Sequence, residues 1–284
     1  MWKKILSMSL VLVMVLSFAA CAKEVEEELP SAQEIVDGVI ASLEDIRTGQ
    51  FDMDMTMDMA GEAEGETFEA TMLMDSSGAL DVENRQIRMD MTMSMAMPGE
   101  PEMEMGMEMY LIGDMMYMLM EIPEMGPMWM KSEVPEGTWE QMSQIESQAE
   151  LLEAAQVEVI GSETVGGVDC YVLQLIPDME QLWQMTMQQA QLAGEMPAVS
   201  EEFIQEMFRS FSIKQWVAKD TYFLTKAEIN MAVELTPEAM GFPEEEGVLT
   251  MDIAMDFLAY NYNQPVSIVL PPEAEEAVEM PIGY

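Results

Sequence analysis

Methionine is the residue type whose number and spacing in this sequence most suggest chemistry. The chain has 36 methionines in 284 residues, and many of them fall at every second position of segments such as 51–59, 87–97 and 103–109. Alternate residues of a β-strand lie on one face of a sheet, so the thioethers of each segment share a face. Thioether side chains are flexible and polarisable, which suits both apolar ligands and soft metal ions.

Several interpretations of these methionine faces remain open. In the first interpretation the methionines form a hydrophobic core, although a rigid core favours branched side chains. In the second they line a deformable apolar cavity for a lipid or acyl chain. Alternatively, Met-x-Met pairs bind Cu(I), but residues i and i+2 of a strand lie about 6.6 Å apart, which is far for sulfurs that share one ion. Oxidant scavenging through methionine sulfoxide is a further alternative.

We favour the cavity. The residues predicted to line it are Met53, Met55, Met57, Met72, Met74, Met89, Met91, Met93, Met105, Met107, Met118 and Trp183.

The remaining residue types give little support to catalysis, because the chain has no histidine. Histidine is the usual general base and zinc ligand, and its absence removes Ser-His and Cys-His arrangements. Cys170 lies in a strand-like run and is expected to be a buried, inert thiol. Asp52, Asp54 and Asp58 alternate with methionines and are expected to form a solvated face, with calcium binding as the alternative. We therefore predict a protein that is not an enzyme and has no cofactor and no metal.

The first residues have the order of a secretory signal. Lys3 and Lys4 precede an apolar run over 5–16, which is too short to span a bilayer comfortably. Ala19-Ala20 directly before Cys21 resembles the bacterial lipobox, in which the cysteine is acylated and becomes the new N-terminus. Several acyl chains at Cys21 would hold the protein at a membrane surface, since each buried methylene contributes about 0.8 kcal/mol.

Charge excludes one class of partner. With 54 acidic and 11 basic residues the net charge is −43, so nucleic acid should be repelled and the protein should stay monomeric. We expect an exported protein, lipid-anchored at the cell membrane or envelope surface, whose partners are a hydrophobic ligand and that membrane. The predicted divisions are a lipoprotein signal peptide 1–20, an acidic tether 21–30, one domain 31–271 and an acidic, loose tail 272–284.

The elements that position the methionines follow from periodicity. A capping box at Ser31–Glu34 opens an amphipathic helix over 32–48. Alternating strands follow, with turns predicted at 61–65, 76–78, 98–101 and 113–114. Further along, the sequence predicts a helix over 138–156, strands over 157–162 and 168–176, a helical region over 178–211, and strands over 213–217, 223–235 and 249–257. This order predicts an α+β fold with one antiparallel sheet and the helices on one face.

Together these features resemble a known group. The segments 159–173 (VIGSETVGGVDCYVL), 214–227 (KQWVAKDTYFLTKA) and 261–271 (NYNQPVSIVLP), with the lipobox and the long meander, are similar to the LolA/LolB-like superfamily. The similarity is greatest to the LppX/LprG-type bacterial lipoproteins. The resemblance implies a curved antiparallel sheet, a half-open β-barrel, wrapped around helices that enclose an apolar cavity. It also implies binding or transfer of a lipid, a lipoglycan or the acyl chain of a lipoprotein.

Overall fold

The computed structural model describes residues 29–63, 66–99, 101–122, 126–134, 139, 149, 152, 155–177, 207–236 and 247–279. Residues Ser31–Tyr284 form one unit, and Met1–Pro30 form another of which only residues 29 and 30 are described. Two predicted site residues, Cys21 and Trp183, lie outside the described residues.

The predicted N-terminal helix is present and shorter than its apolar pattern. Helix α1 spans Ala32–Leu43, and the Ser31 hydroxyl accepts a hydrogen bond from the backbone N–H of Glu34 at 3.2 Å, as a capping box requires. The helix was predicted to continue to residue 48 because Ile46 follows the helical spacing. Ile46 is buried but lies in the connection to the first strand, so its burial does not depend on helical geometry.

Twelve strands pair into one sheet within the described residues. They are β1 Thr48–Ala63, β2 Glu66–Asp81, β3 Gln86–Ala96, β4 Met103–Ile112, β5 Met115–Ile122, β6 Gly126–Glu133, β7 Ala155–Val165, β8 Val168–Pro177, β9 Phe208–Ala218, β10 Leu224–Leu235, β11 Leu249–Tyr260 and β12 Val278–Glu279. Their order across the sheet is β12-β6-β5-β4-β3-β2-β1-β11-β10-β9-β8-β7, antiparallel except for the parallel β12–β6 pair. The outermost strands, β12 and β7, are not paired with each other, so the sheet is open. The predicted α+β class with an open antiparallel sheet is confirmed.

One predicted turn is wrong. The sequence Ser76-Ser77-Gly78 was expected to end the second strand, but β2 continues to Asp81 and the turn lies at 82–85. A β-carbon at Gly78 would lie 2.3 Å from Cζ of Phe51 and 2.7 Å from the carbonyl oxygen of Arg88. Gly78 therefore serves close packing within the sheet rather than a change of direction.

Other boundaries also differ from the predictions. Phe208 and Phe211, placed in the helical region 178–211, lie in β9, where a register shift opposite Ala232 and Val233 accommodates their three-residue spacing and the two ring centroids lie 6.3 Å apart. The predicted helix 138–156 is helical at Trp139, Ala149 and Leu152, and β7 begins at Ala155. The rest of that helix, and of the region 178–211 before Met207, lies outside the described residues. Strand β6 was not predicted.

The C-terminal segment is ordered against the sheet over part of its length. Residues Pro272–Glu276 form a 3₁₀ turn and Val278–Glu279 pair with Met130 and Lys131 of β6. Ala274 and Ala277 are buried. The expectation of a loose tail from residue 272 is therefore wrong over 272–279.

The main core lies between α1 and the β7–β10 end of the sheet. Ile35, Val36 and Val39 of the helix pack with residues that β8 and β9 contribute. Those strand residues are Leu173, Leu175, Ile213 and Val217, and Leu152 completes the cluster. Burying such side chains stabilises the fold by roughly 1.5–3 kcal/mol each. The core thus fixes one end of the sheet and leaves the methionine-rich strands as a separate region.

Candidate functional site

Strand register places methionines of neighbouring strands side by side. Residues directly opposite in an antiparallel pair lie on the same face with β-carbons about 4.5–5.5 Å apart. Met55 is opposite both Met255 of β11 and Met74 of β2, and Met74 is opposite Met93 of β3. The complete row across nine strands reads Val157, Leu175, Ile213, Ile229, Met255, Met55, Met74, Met93 and Met105. No polar residue interrupts it.

Parallel rows bring in the other predicted residues. Met57 is opposite Met72, and Met91 of β3 is opposite Met107 of β4. Met53 shares its row with Met91 through Ser76. A further row joins Gly78, Met89, Met109, Met118 and Met130. We call the surface formed by these rows over β1–β6 and β11 the methionine face. The predicted lining residues that the structure describes all lie on it.

Helix α1 packs on the same face of the sheet as the methionines, but at the end formed by β7–β10. Leu173, Leu175 and Ile213, which contact α1 residues, lie in rows that continue into the methionine face. The methionines beyond are less buried: most are half-buried, and Met105 is 41% exposed. An apolar surface that remains partly open in this way is characteristic of an interaction site.

Two hollows border strands β1–β5. One, of about 50 Å³, is lined by Met91, Met93, Met105, Met107 and Met120, with Gly106 and Glu121 completing its wall. It is well below the roughly 300 Å³ of ordinary small-molecule sites. The other, of about 530 Å³, lies mainly on the opposite face. This second hollow was not predicted from the sequence.

The larger hollow is acidic. Six carboxylates line it: Asp52, Asp54, Asp75, Asp90, Glu108 and Glu121. Its depth reflects small residues at the centre of the face, including Gly106, Ser77 and Thr92. The alternation of acids with methionines gave a signal for this face, but the register that gathers acids from five strands is not visible in one sequence. None of the described residues forms a group of three or more His, Cys, Asp or Glu that could hold a metal ion.

Carboxylates on this face oppose one another. Asp54 is directly opposite Asp256 on one side and Asp75 on the other. Its pKa is raised, first by burial and then by the hydrogen bond and negative charge of Asp75, with smaller contributions from Asp256 and Asp52. Asp58 is opposite Asp252 and Thr71, and the Thr71 hydroxyl donates to it at 2.6 Å.

An aromatic group lies on the same face, beside the acids. Tyr110 is 2% exposed, its hydroxyl donates to Glu108 at 3.1 Å, and the guanidinium of Arg88 lies 5.6 Å from its ring centroid. Trp129 packs on it at 6.0 Å between centroids. Burial raises the pKa of Tyr110 to about 12. This group belongs to the structure of the sheet and was not predicted.

Cys170 is fully buried, as predicted, and its Sγ donates to the carbonyl oxygen of Val168 at 3.4 Å. Burial raises the pKa of this thiol, so the reactive thiolate is disfavoured.

No described helix has both the length and the apolar character needed to cross a membrane.

Comparison with solved structures gives several matches. The first is LprF from Mycobacterium bovis, 12% identical, with 84% of this chain and 96% of that chain covered and a TM-score of 0.45. The lipoprotein LppX from Mycobacterium tuberculosis is 10% identical over 84% of this chain and 98% of its own, with a TM-score of 0.38. A LolA superfamily protein from Nitrosomonas europaea is 12% identical over 86% and 97%, with a TM-score of 0.22. The groups that the sequence resembles are therefore among the solved structures that match.

No curated protein matches by sequence. One family model does match, over residues 31–279, which is most of the chain and includes every strand described above. The chain belongs to DUF6612, a family of unknown function.

Proposed function

We propose that this protein is a membrane-anchored lipoprotein that binds or transfers a hydrophobic ligand, a lipid or acyl chain, on its methionine face. The observation that carries the proposal is the register: an uninterrupted apolar row runs from Leu175 and Ile213, in the core under α1, into half-buried methionines. A sheet face that served only as core would be covered to the degree seen at Leu173 and Leu175, which are fully buried.

The ligand would enter by displacing side chains. The hollow of about 50 Å³ has room for no hydrocarbon tail, so methionines around it must change rotamer to admit one. Met has three rotatable side-chain bonds and no branch at Cβ, so such repacking costs little compared with moving Val or Ile. This supports a ligand that is long and flexible, and a site with low selectivity between chains.

Anchoring is the second part of the proposal. Acylation of Cys21 would keep the domain within reach of a membrane, with residues 21–30 as an acidic tether. The net charge of −43 would at the same time hold the body of the protein away from anionic headgroups. A tethered but repelled domain can exchange a single lipid without lying in the bilayer.

Lipid recovery tests this function. The protein is exported with residues 1–21 replaced by a cleavable signal, purified without detergent, extracted with organic solvent and examined by mass spectrometry. We expect near-stoichiometric lipid from the parent protein and a loss of at least tenfold from Met55→Gln/Met74→Gln/Met93→Gln, which places three amides in one row.

The chain offers a matched control. Thr56, Leu73 and Ser94 form the adjacent row on the same three strands but on the opposite face. The triple variant Thr56→Gln/Leu73→Gln/Ser94→Gln should retain its lipid. Equal recovery from both triple variants, or no lipid from the parent protein, would contradict the proposal and leave the methionine face as a structural surface.

A further inference from the structure

Methionines on neighbouring strands lie closer together than methionines within one strand. Residues i and i+2 are about 6.6 Å apart, whereas directly opposite residues have β-carbons about 4.5–5.5 Å apart. Met91, Met107 and Met120 are such neighbours, one each from β3, β4 and β5. Three thioethers can therefore converge from three strands, which Met-x-Met spacing alone does not achieve.

The hollow of about 50 Å³ lies where this convergence is densest. The three residues of that row line it, and so do Met93 and Met105, which are opposite each other in the next row. Five methionines thus line a space with room for an ion or a water molecule and not for an organic ligand. Met105 is 41% exposed, so an ion can reach the hollow without any opening of the fold.

We propose that this hollow is a Cu(I) site formed by Met91, Met107 and Met120, with Met93 and Met105 as additional sulfur donors. Thioethers are neutral, soft ligands that select Cu(I), while zinc and calcium prefer nitrogen, thiolate or oxygen. The flexible Met side chain lets the sulfurs adopt the geometry that the ion prefers.

Charge favours a cation at this place. The ligands supply no negative charge, but the carboxylates Asp90, Glu108 and Glu121 lie on the other face of the same three strands. A protein of net charge −43 concentrates cations at its surface, which raises the rate at which an ion finds the thioethers.

Titration with Cu(I) tests the site. The full chain, purified from membranes in a mild detergent, is titrated anaerobically with Cu(I) against a competing chelator. We expect one tightly bound ion and an affinity at least tenfold lower in Met91→Leu/Met107→Leu/Met120→Leu. The control Met57→Leu/Met72→Leu/Met95→Leu also removes three opposed methionines, but these do not line the hollow. It should bind Cu(I) as the parent does.

Two further measurements keep the result interpretable. X-ray absorption at the copper edge should show a first shell of sulfur only, and the affinity should be the same at pH 5 and pH 7, because thioethers do not titrate. A single Met120→Leu variant, with circular dichroism on each protein, separates a lost ligand from a lost fold. Equal affinities in the two triple variants, or a first shell of oxygen, would overturn the site.

The outcome for the lipid proposal is separable. Both triple leucine variants change methionines of the same apolar face, so any change in co-purified lipid should be similar in the two, whereas Cu(I) binding should differ between them. Loss of Cu(I) in the first variant alone would support this site whatever the lipid content, and absence of lipid from the parent protein would count against the proposed function alone.

Discussion

Replacing Asp54 by Asn should stabilise the protein at neutral pH. Asp54 faces Asp75 and Asp256 directly across the two adjacent strands, so it carries two like-charge pairs at the closest cross-strand distance. Asn has the same shape, removes the charge and can donate a hydrogen bond to either neighbour.

The magnitude follows from those two pairs. Cross-strand charge pairs contribute roughly 0.2–1 kcal/mol each, and like charges destabilise by similar amounts. Removing two gives about 0.4–2 kcal/mol at low salt, and a domain of this size gains about 2–4 °C in Tm for each kcal/mol. Because Asp54 is exposed, salt should screen most of the gain.

The pH dependence has a definite sign. The pKa of Asp54 is raised in the folded protein, so the folded state binds the proton more tightly than the unfolded state does. The stability due to that proton is fully present below the unfolded value of about 4. It is lost as pH rises through the raised pKa. The gain from Asp54→Asn should therefore disappear below pH 4.

Urea denaturation at low and high salt measures the effect, and two residues on the same strand and face provide graded controls. Asp58 has one opposed carboxylate and one hydroxyl donor, so Asp58→Asn should gain less. Asp52 is opposite Leu258 and Ser77 and accepts from the Tyr260 hydroxyl at 3.2 Å, so Asp52→Asn should gain nothing. A gain that is equal at the three positions, or unaffected by salt, would refute the reasoning.

Three further effects follow from packing and burial. Leu173→Ala, at a fully buried core position, should lower the free energy of unfolding by about 2–5 kcal/mol, measured by urea denaturation. Gly38→Ala should lower the free energy of unfolding by about 1–3 kcal/mol although alanine favours helix, because the new β-carbon would lie 2.6 Å from the ring of Tyr222. Adding Tyr222→Ala to the same protein should relieve the clash. A single Gly38→Ala variant that is more stable than the parent would contradict this. Tyr110→Phe should reduce the fall in stability between about pH 10 and pH 12, because in that interval the folded parent keeps the Tyr110 proton that the unfolded chain loses. If a spectrophotometric titration of the variant still shows a tyrosine ionising near pH 12, the raised pKa does not belong to Tyr110.

Strand positions were predictable where a single face is apolar. In β3 and β4 methionines alternate without exception, and the strands begin within a residue of their predicted starts. Serine and glycine in β2 were misinterpreted, because turn propensity is local while the partners of Ser76 and Gly78 lie on other strands. The same limit applies at Phe208 and Phe211, whose three-residue spacing follows the helical pattern and fits a strand only through the register shift in β9.

The candidate site was predictable only in part. Periodicity assigns Met91 and Met93 to one face of β3, but it contains no information on the residue opposite each of them. The five-methionine hollow and the opposed acids at Asp54 depend on register. Register depends on turn lengths and bulges that a single sequence specifies weakly.

The pairing of β1 with β11 has a consequence for how the chain acquires its structure. Gln50 pairs with Tyr260, so these partners are separated by 260 − 50 = 210 positions. Until the last long strand has been synthesised, β1 has an unsatisfied edge beside a row of thioethers, which invites association between nascent chains. Contacts this remote also slow the search for the native arrangement. The early strands therefore stay open to non-native pairing until the late ones are available.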